Sequence, residues 1–152
     1  MNYQLAEINV ARMIGVNIDD PVMKEFVDNL DKVNALAESS EGFIWRLKDD
    51  SNNASSFNPY NDEQVIINIS VWKDIESLEN FTYKTFHTDF LKRRKEWFQK
   101  YGKVHFALWW IEEGNYPSVN EAVKRLSYLQ DNGPTQKTFN FNRKFLPIIT
   151  VE

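Results

Sequence analysis

The sequence contains no cysteine, and only two of its 152 residues are histidine. The absence of cysteine excludes disulfides, thiol catalysis and cysteine-based metal sites. The two histidines, His87 and His105, form neither an HxH nor an HxxxH pattern. A metal site would need at least a third ligand. We therefore predict no metal and no other cofactor.

Long apolar runs and long basic runs are also absent. No stretch approaches the roughly 20 apolar residues that cross a bilayer. The N-terminal segment 1–5 lacks the basic and apolar regions of a signal peptide, so we expect a cytoplasmic location. The basic run 92–95 stands alone in a chain of net charge −4 and is typical of a solvated helix face. We expect neither a membrane nor a nucleic acid as partner.

Aromatic residues are abundant instead. They make up 14% of the chain, with five tryptophans and eleven phenylalanines. Such rings fill cores, interfaces and pockets for flat ligands. With 42% hydrophobic and 26% charged residues, the chain has the composition of a globular protein, and its length predicts a single domain over residues 1–152. We expect a pocket or a dimer interface to use some of the rings.

The order of the predicted elements indicates the fold class. Helix starts are marked by Asp20-Pro21, by Asp74 and by a Ser118/Glu121 capping box, and a polar loop covers 48–62. Hydrophobic alternation predicts strands over 3–12, 43–47, 64–72, 104–111 and, more briefly, 138–141. The order βαββαβ predicts an α+β, ferredoxin-like antiparallel sheet with two helices on one face, followed by a C-terminal helix and a short strand. The other face of the sheet would then need a partner.

The second helix is predicted to run over 75–101, with a break near 82–88. Six residues of different chemical character follow one another along this helix at spacings of three and four, which places them on one helical face. They are Tyr83, His87, Phe90, Arg94, Trp97 and Tyr101. An imidazole and a guanidinium among aromatic rings suit a ligand site better than a core.

Alternation along the strands predicts two different sheet faces. Val65, Ile67, Ile69 and Val71 are expected under the helices. In the last strand Val104, Phe106, Leu108 and Trp110 are expected on that same face. The opposite face mixes small polar groups with indoles, which suits a cavity lining. It carries Asn9, Asn68, Ser70, Trp72, His105 and Trp109.

Several of these side chains have an alternative, structural role. Trp45 and Arg46 point in opposite directions, and alternation alone leaves open which one lines the cavity. Arg46 is either an anion anchor or part of a surface ion pair. Arg94 either binds a carboxylate or phenolate, or it pairs with a neighbouring carboxylate or stacks on the neighbours of Trp97. His87 is either a general base or an interface histidine, and His105 either a site residue or a hydrogen-bonded structural one.

Five segments resemble a bacterial domain-of-unknown-function family, DUF3291, in the dimeric α/β-barrel superfamily. That superfamily includes the antibiotic-biosynthesis monooxygenases, whose third strand and following helix resemble residues 68–74 with Leu78, Phe81 and His87. The segments that resemble the bacterial family are 5–12, 42–46, 70–72, 93–98 and 107–110. The resemblance covers about Leu5 to Phe141, which is nearly the whole chain.

The resemblance implies a dimeric α/β-barrel: a homodimer whose sheets pack face to face, each with a pocket between sheet and helices. It also implies that Asn68 and Trp72 hold an aromatic substrate, as in cofactor-free monooxygenases of the superfamily. Asn9 matches an asparagine of its haem-degrading members.

Three hypotheses follow. The first is a cofactor-independent monooxygenase acting on an aromatic or polyketide-like molecule, with His87 as base and Asn68 and Arg94 as oxyanion donors. The second is a non-catalytic binding protein for the same kind of molecule, and the third is a haem-binding protein. In the first two, the ligand-binding set is Asn9, Trp45, Ser70, Trp72, Tyr83, Trp97, His105 and Trp109.

Overall fold

Four main strands form one antiparallel sheet with helices on both sides. A computed structural model describes residues 2–50, 52, 54–86 and 92–148, apart from the side chain of residue 86. The strands are β1 (Tyr3–Met13), β2 (Phe43–Arg46), β3 (Val65–Trp72), the two-residue β4 (Phe98–Gln99) and β5 (Phe106–Glu112). The helices are α1 (Lys24–Glu38), α2 (Ile75–Phe86) and α3 (Val119–Asn132).

The strand order is that of a ferredoxin-like fold. β1 pairs with β3 along one side and with β5 along the other, and β2 extends the sheet beyond β3. β4 adds two pairs at the end of β1. The predicted fold class is confirmed. The predicted fifth strand at 138–141 is reduced to one bridge between Leu108 and Phe139.

Local capping explains where the first and last helices begin. The Asp20 carboxylate accepts a hydrogen bond from the Val22 amide and caps a 3-10 turn at Pro21–Met23, which leads directly into α1. The Ser118 hydroxyl accepts one from the Glu121 amide at the start of α3. Both starts are where the sequence places them.

The aliphatic face of the sheet is covered by α3. Ile8, Ile69 and Val71 are completely buried in one cluster with Leu126 of that helix. The sequence places these β-branched residues under a helix, but the helix is the C-terminal one rather than α1 or α2. The expectation that the second sheet face needs another chain was therefore wrong, because α3 of the same chain covers it. The homodimer stays a prediction.

The face of β5 was also assigned wrongly. Trp109 pairs with Ala6 and Ala107 pairs with Ile8, so these side chains point into the aliphatic cluster. Phe106 and Leu108 point the other way, toward Leu5 and Trp72. Residues 106–111 are apolar on both faces, so alternation carries no information about orientation there.

The predicted long second helix does not exist. Within the described residues α2 reaches Phe86, and the chain returns as a short 3-10 turn at Arg94–Glu96 followed by β4. Trp97 is buried against Phe26, and its carbonyl accepts from the Ile14 amide at 2.7 Å. This part of the chain is not helical, because the Trp97 indole is buried against Phe26 and β4 pairs with the end of β1. His87 and Phe90 lie outside the described residues.

Candidate active site

A cavity of about 430 Å3 lies between the polar face of the sheet and helices α1 and α2. Volumes of roughly 300–1,000 Å3 are typical of small-molecule sites. The helices contribute apolar walls that include Phe26, Leu30 and Phe81. The sheet contributes the floor, which consists of Glu7, Asn9, Ala11, Ile66, Asn68, Ser70 and Trp72. Polar groups are therefore concentrated on one wall of an otherwise apolar space.

Register explains why the polar floor residues are neighbours. Glu7 of β1 pairs directly with Ser70 of β3, and Asn9 pairs with Asn68. Directly paired residues in a sheet project to the same side, with their Cβ atoms about 5 Å apart. The Asn9/Asn68 pair lies two residues along the strands from the Glu7/Ser70 pair, so both pairs project to the same face of the sheet. The four polar side chains thus form one compact group.

Glu7 is the central group of this floor. It is only 2% exposed, and its carboxylate accepts hydrogen bonds from Ser70 Oγ at 2.7 Å and from Asn9 Nδ2 at 3.1 Å. Burial raises its pKa to about 7, and the two hydrogen bonds oppose the rise. A carboxyl group with such a pKa is poised to accept and release protons near neutral pH.

Trp72 controls the direction of the hydrogen bond to Glu7. Its Nε1 donates to Ser70 Oγ at 2.8 Å. An indole N–H is a donor only, so the Ser70 oxygen acts as acceptor there and its own proton points to Glu7. Trp72 is 1% exposed and stacks with Phe81 at 5.1 Å between ring centroids. The packed indole therefore fixes the serine as a donor to the carboxylate.

Substitution Ser70→Ala is expected to raise the pKa of Glu7 above about 7, because the hydrogen bond lost is one that favours the charged form. A hydrogen bond to a charged group corresponds to a rise of roughly one pH unit. An NMR titration of the labelled carboxyl carbon measures it. Trp72→Phe should raise the pKa of Glu7 by a smaller amount, since Ser70 remains and can still donate to the carboxylate. An unchanged or lower midpoint in Ser70→Ala would contradict this account of the floor.

Arg46, rather than Trp45, faces the cavity. Arg46 is 5% exposed and pairs in register with Ser70, and its guanidinium binds Glu38 Oε1 at 3.1 Å and Asn52 Oδ1 at 2.8 Å. Trp45 points to the other side of β2 and stacks on Tyr116 with centroids 5.1 Å apart. Trp45 is thereby removed from the predicted ligand-binding set. Arg46 lines the cavity, with its Nε bonded to Glu38 and its Nη2 bonded to Glu38 and Asn52.

Arg94 and His105 lie at the mouth of the cavity. Both line it, and both are exposed side chains. The Arg94 guanidinium carbon lies 5.3 Å from the centre of the Phe98 ring. Partial burial lowers the pKa of Arg94. The pKa of His105 is lowered by burial and, to a smaller extent, by the charge of Arg94.

The structure divides the predicted site residues into two groups. Asn9, Asn68, Ser70, Trp72, Arg94 and His105 line the cavity. Four others do not, which corrects their placement: Trp45 lies across β2, Trp109 is fully buried in the aliphatic cluster, Trp97 packs on Phe26, and Tyr83 is 65% exposed. The position of His87 lies outside the described residues.

Glu7 was missed as a functional residue, although the sequence contains a signal for it. Alternation along β1 assigns Glu7 to the same face as Asn9, which was a candidate. A carboxylate between Leu5 and Ala11, on a strand this apolar, has little access to solvent once the face is covered. A buried titratable group beside other polar groups is a functional candidate on physical grounds.

Within the described ranges, no group of three or more His, Asp or Glu residues is placed to hold a metal ion. No helix in the same part of the chain has the length and apolar character needed to cross a membrane.

A family comparison accounts for nearly the whole chain. The model of a family described as "Domain of unknown function (DUF3291)" matches residues 4–150. The chain belongs to this family. No curated protein matches the sequence. DUF3291 membership thus confirms the resemblance noted in the sequence and leaves the activity open.

Solved structures provide distant neighbours of this DUF3291 protein. SnoaB from Streptomyces nogalater, described as a cofactor-independent oxygenase, is 13% identical with a TM-score of 0.46, and the match covers 76% of this chain and 98% of SnoaB. PA3566 from Pseudomonas aeruginosa is 14% identical with a TM-score of 0.43, covering 78% of this chain and 98% of PA3566. Likenesses this distant say nothing about activity, which has to be inferred from the cavity.

Proposed function

We propose that this protein is an enzyme that binds an electron-rich aromatic molecule in the cavity, removes a proton from it with Glu7 and lets the resulting anion react with O2 without a cofactor. The observation that supports the proposal is the buried Glu7 carboxyl on the floor of the cavity, with a pKa of about 7. A general base is most effective when its pKa lies near the working pH.

The walls suit a flat, apolar ligand. Trp72 forms a stacked pair with Phe81 and an edge contact with Phe43, at 5.1 Å and 5.4 Å between centroids. Phe106 and Phe141 form a second aromatic pair at 5.1 Å. Aromatic walls favour offset or edge contacts with another ring. The polar floor on one side then fixes how that ring is oriented.

The floor also offers a donor for developing negative charge. The Asn68 amide faces the cavity beside Asn9 and makes no side-chain hydrogen bond to any described residue. When Glu7 takes a phenolic proton, the charge that appears on the phenol oxygen is stabilised by such a donor. Asn68 is therefore proposed to hold the phenolate, in agreement with its sequence-based role.

The proposed reaction balances without any other reactant. A phenol with a free para C–H is deprotonated, and the phenolate transfers electrons to O2 as a C–O bond forms at the para carbon. Loss of the para hydrogen and cleavage of the O–O bond give a para-quinone and one molecule of water. One oxygen atom enters the product and the other leaves as water.

The base in this proposal is Glu7 rather than His87. The carboxyl group of Glu7 lies on the cavity floor with its partners defined, whereas His87 lies outside the described residues. The earlier assignment of His87 as base stays a prediction that the substitution His87→Ala would test in the same assay.

The test is oxygen consumption by the purified protein with 1,5-dihydroxynaphthalene, a phenol whose para position is free. We expect uptake above the rate without protein, one quinone formed per O2 consumed, and one atom of 18O in the quinone when 18O2 is used. Quenching of tryptophan fluorescence by the compound without any oxygen uptake would overturn the enzymatic proposal and indicate a binding protein. Absence of both effects would overturn the cavity as an aromatic site.

A further inference from the structure

The two ends of the cavity differ in charge. Arg94 and His105 are exposed and line the cavity, so they lie where it opens to solvent. Glu7 is buried on the floor and is the only acidic residue among the described residues that line the cavity. A ligand in this space meets a guanidinium and an imidazole at the mouth and a carboxyl group on the floor, while the charge of Arg46 is paired with Glu38.

The Arg94 guanidinium has no protein anion among the described residues. Its neighbour Arg93 binds Glu96 at 2.7 Å and also pairs with Glu25, and Arg46 binds Glu38. Arg94 instead contacts the face of Phe98. Partial burial without an acid is what lowers its pKa. A guanidinium in this state regains charge-assisted hydrogen bonds when an anion enters.

His105 adds a second donor at the same place. His105 and Arg94 line the same cavity, and the charge of Arg94 contributes to the lowered pKa of His105. The His105 ring is held at its edge by Tyr101, with centroids 6.0 Å apart. An imidazole donates one hydrogen bond even when neutral. Together the two residues offer a guanidinium and an imidazole as hydrogen-bond donors to a ligand carboxylate.

We propose that the substrate is an aromatic acid, whose carboxylate binds Arg94 and His105 at the mouth while its ring extends inward to Glu7 and Asn68. This inference rests on the proposed function, because it names the class of molecule that the same cavity takes. A ligand carboxylate bound at the mouth is separate from the buried Glu7 carboxylate, which has to be ionised in order to accept the phenolic proton.

The experiment compares 5-hydroxy-2-naphthoate, whose hydroxyl and carboxylate lie at opposite ends of the ring system and whose para position is free, with 5-hydroxy-2-naphthamide, which has a similar shape and no charge. We expect the wild-type protein to bind the acid about tenfold more tightly than the amide in calorimetry, since a charge-assisted pair distinguishes them. Arg94→Met should abolish this preference, because it weakens binding of the acid more than binding of the amide. Lys95→Met is the matched control, because it removes the same charge from an exposed neighbour that does not line the cavity, and should keep the preference.

Further variants keep the test independent of folding defects. Arg94→Lys retains the charge and should keep part of the preference, and His105→Gln should reduce it. Equal affinity of the wild-type protein for acid and amide, or a full preference in Arg94→Met, would overturn the inference. Such a result would leave the proposed function to be judged by oxygen consumption. Failure of both compounds to bind, together with no oxygen uptake, would overturn both proposals.

Discussion

Glu7→Gln is expected to lower the rate of oxygen consumption with 1,5-dihydroxynaphthalene by about 10²–10⁴-fold, the usual contribution of a positioned general base. Glutamine has nearly the shape of glutamate and can keep both floor contacts, with Ser70 donating to its amide oxygen and Asn9 accepting after a flip of its amide. Affinity for the compound should therefore change little. Steady-state oxygen measurements and fluorescence titrations separate the two effects.

The pH dependence of the wild-type enzyme follows from the same group. The base works only when ionised, so the rate should rise about tenfold per pH unit below about 7 and level off above it. The rise should be absent from the residual activity of Glu7→Gln. Glu112→Gln, which changes an exposed carboxylate on β5, serves as the control and should behave as wild type. A Glu7→Gln variant as active as wild type would remove Glu7 from the mechanism.

Glu7→Gln is also expected to change how stability depends on pH. The pKa of Glu7 is raised from 4.5 to about 7 by burial, so between these values the folded protein binds more protons than the unfolded chain. Wild-type stability from this group is therefore lost as pH rises from 4.5 to 7 and stays lost above 7. Over that range the variant should gain roughly 3 kcal/mol relative to wild type, since one pKa unit corresponds to about 1.4 kcal/mol.

Urea unfolding of both proteins at a series of pH values measures this difference. Other titrating groups cancel in the comparison because both proteins contain them. The exposed Glu112 again supplies the control, as Glu112→Gln should remain parallel to wild type at every pH. If wild type and Glu7→Gln also run parallel from pH 4 to 8, the buried carboxyl does not bear the desolvation that we assign to it.

Elements with one-sided patterns were predictable from the sequence. The alternation of β1 correctly separates Ala6, Ile8 and Val10 from Glu7 and Asn9, because one set is aliphatic and the other is mixed. Cap residues mark where α1 and α3 begin for purely local reasons. The order of these elements was sufficient for the ferredoxin-like topology, which depends on connection lengths and handedness rather than on detailed packing.

Features that depend on distant contacts were not predictable. The extended conformation of Phe98–Gln99, where a helix was predicted, accompanies the burial of Trp97 against Phe26, which is about 70 residues away in sequence. The orientation of Trp109 depends on its pairing with Ala6, because its own strand is apolar on both sides. The six-residue stripe is periodic in the sequence, but among its described members Tyr83 lies on α2, Arg94 lies in the 3-10 turn and Trp97 follows that turn. A cavity is nevertheless present on the mixed face, because its floor is formed by β1 and β3 rather than by that helix.

The most direct test of the central claim is the titration of the Glu7 carboxyl by carbon-13 NMR, with the signal assigned by its absence in Glu7→Gln. The account predicts a midpoint near pH 7 in the free protein. It also predicts that 1,5-dihydroxynaphthalene shifts the Glu7 signal, since the ring is placed against this group. A midpoint near 4.5, together with a signal that ignores the compound, would contradict a buried base facing the ligand.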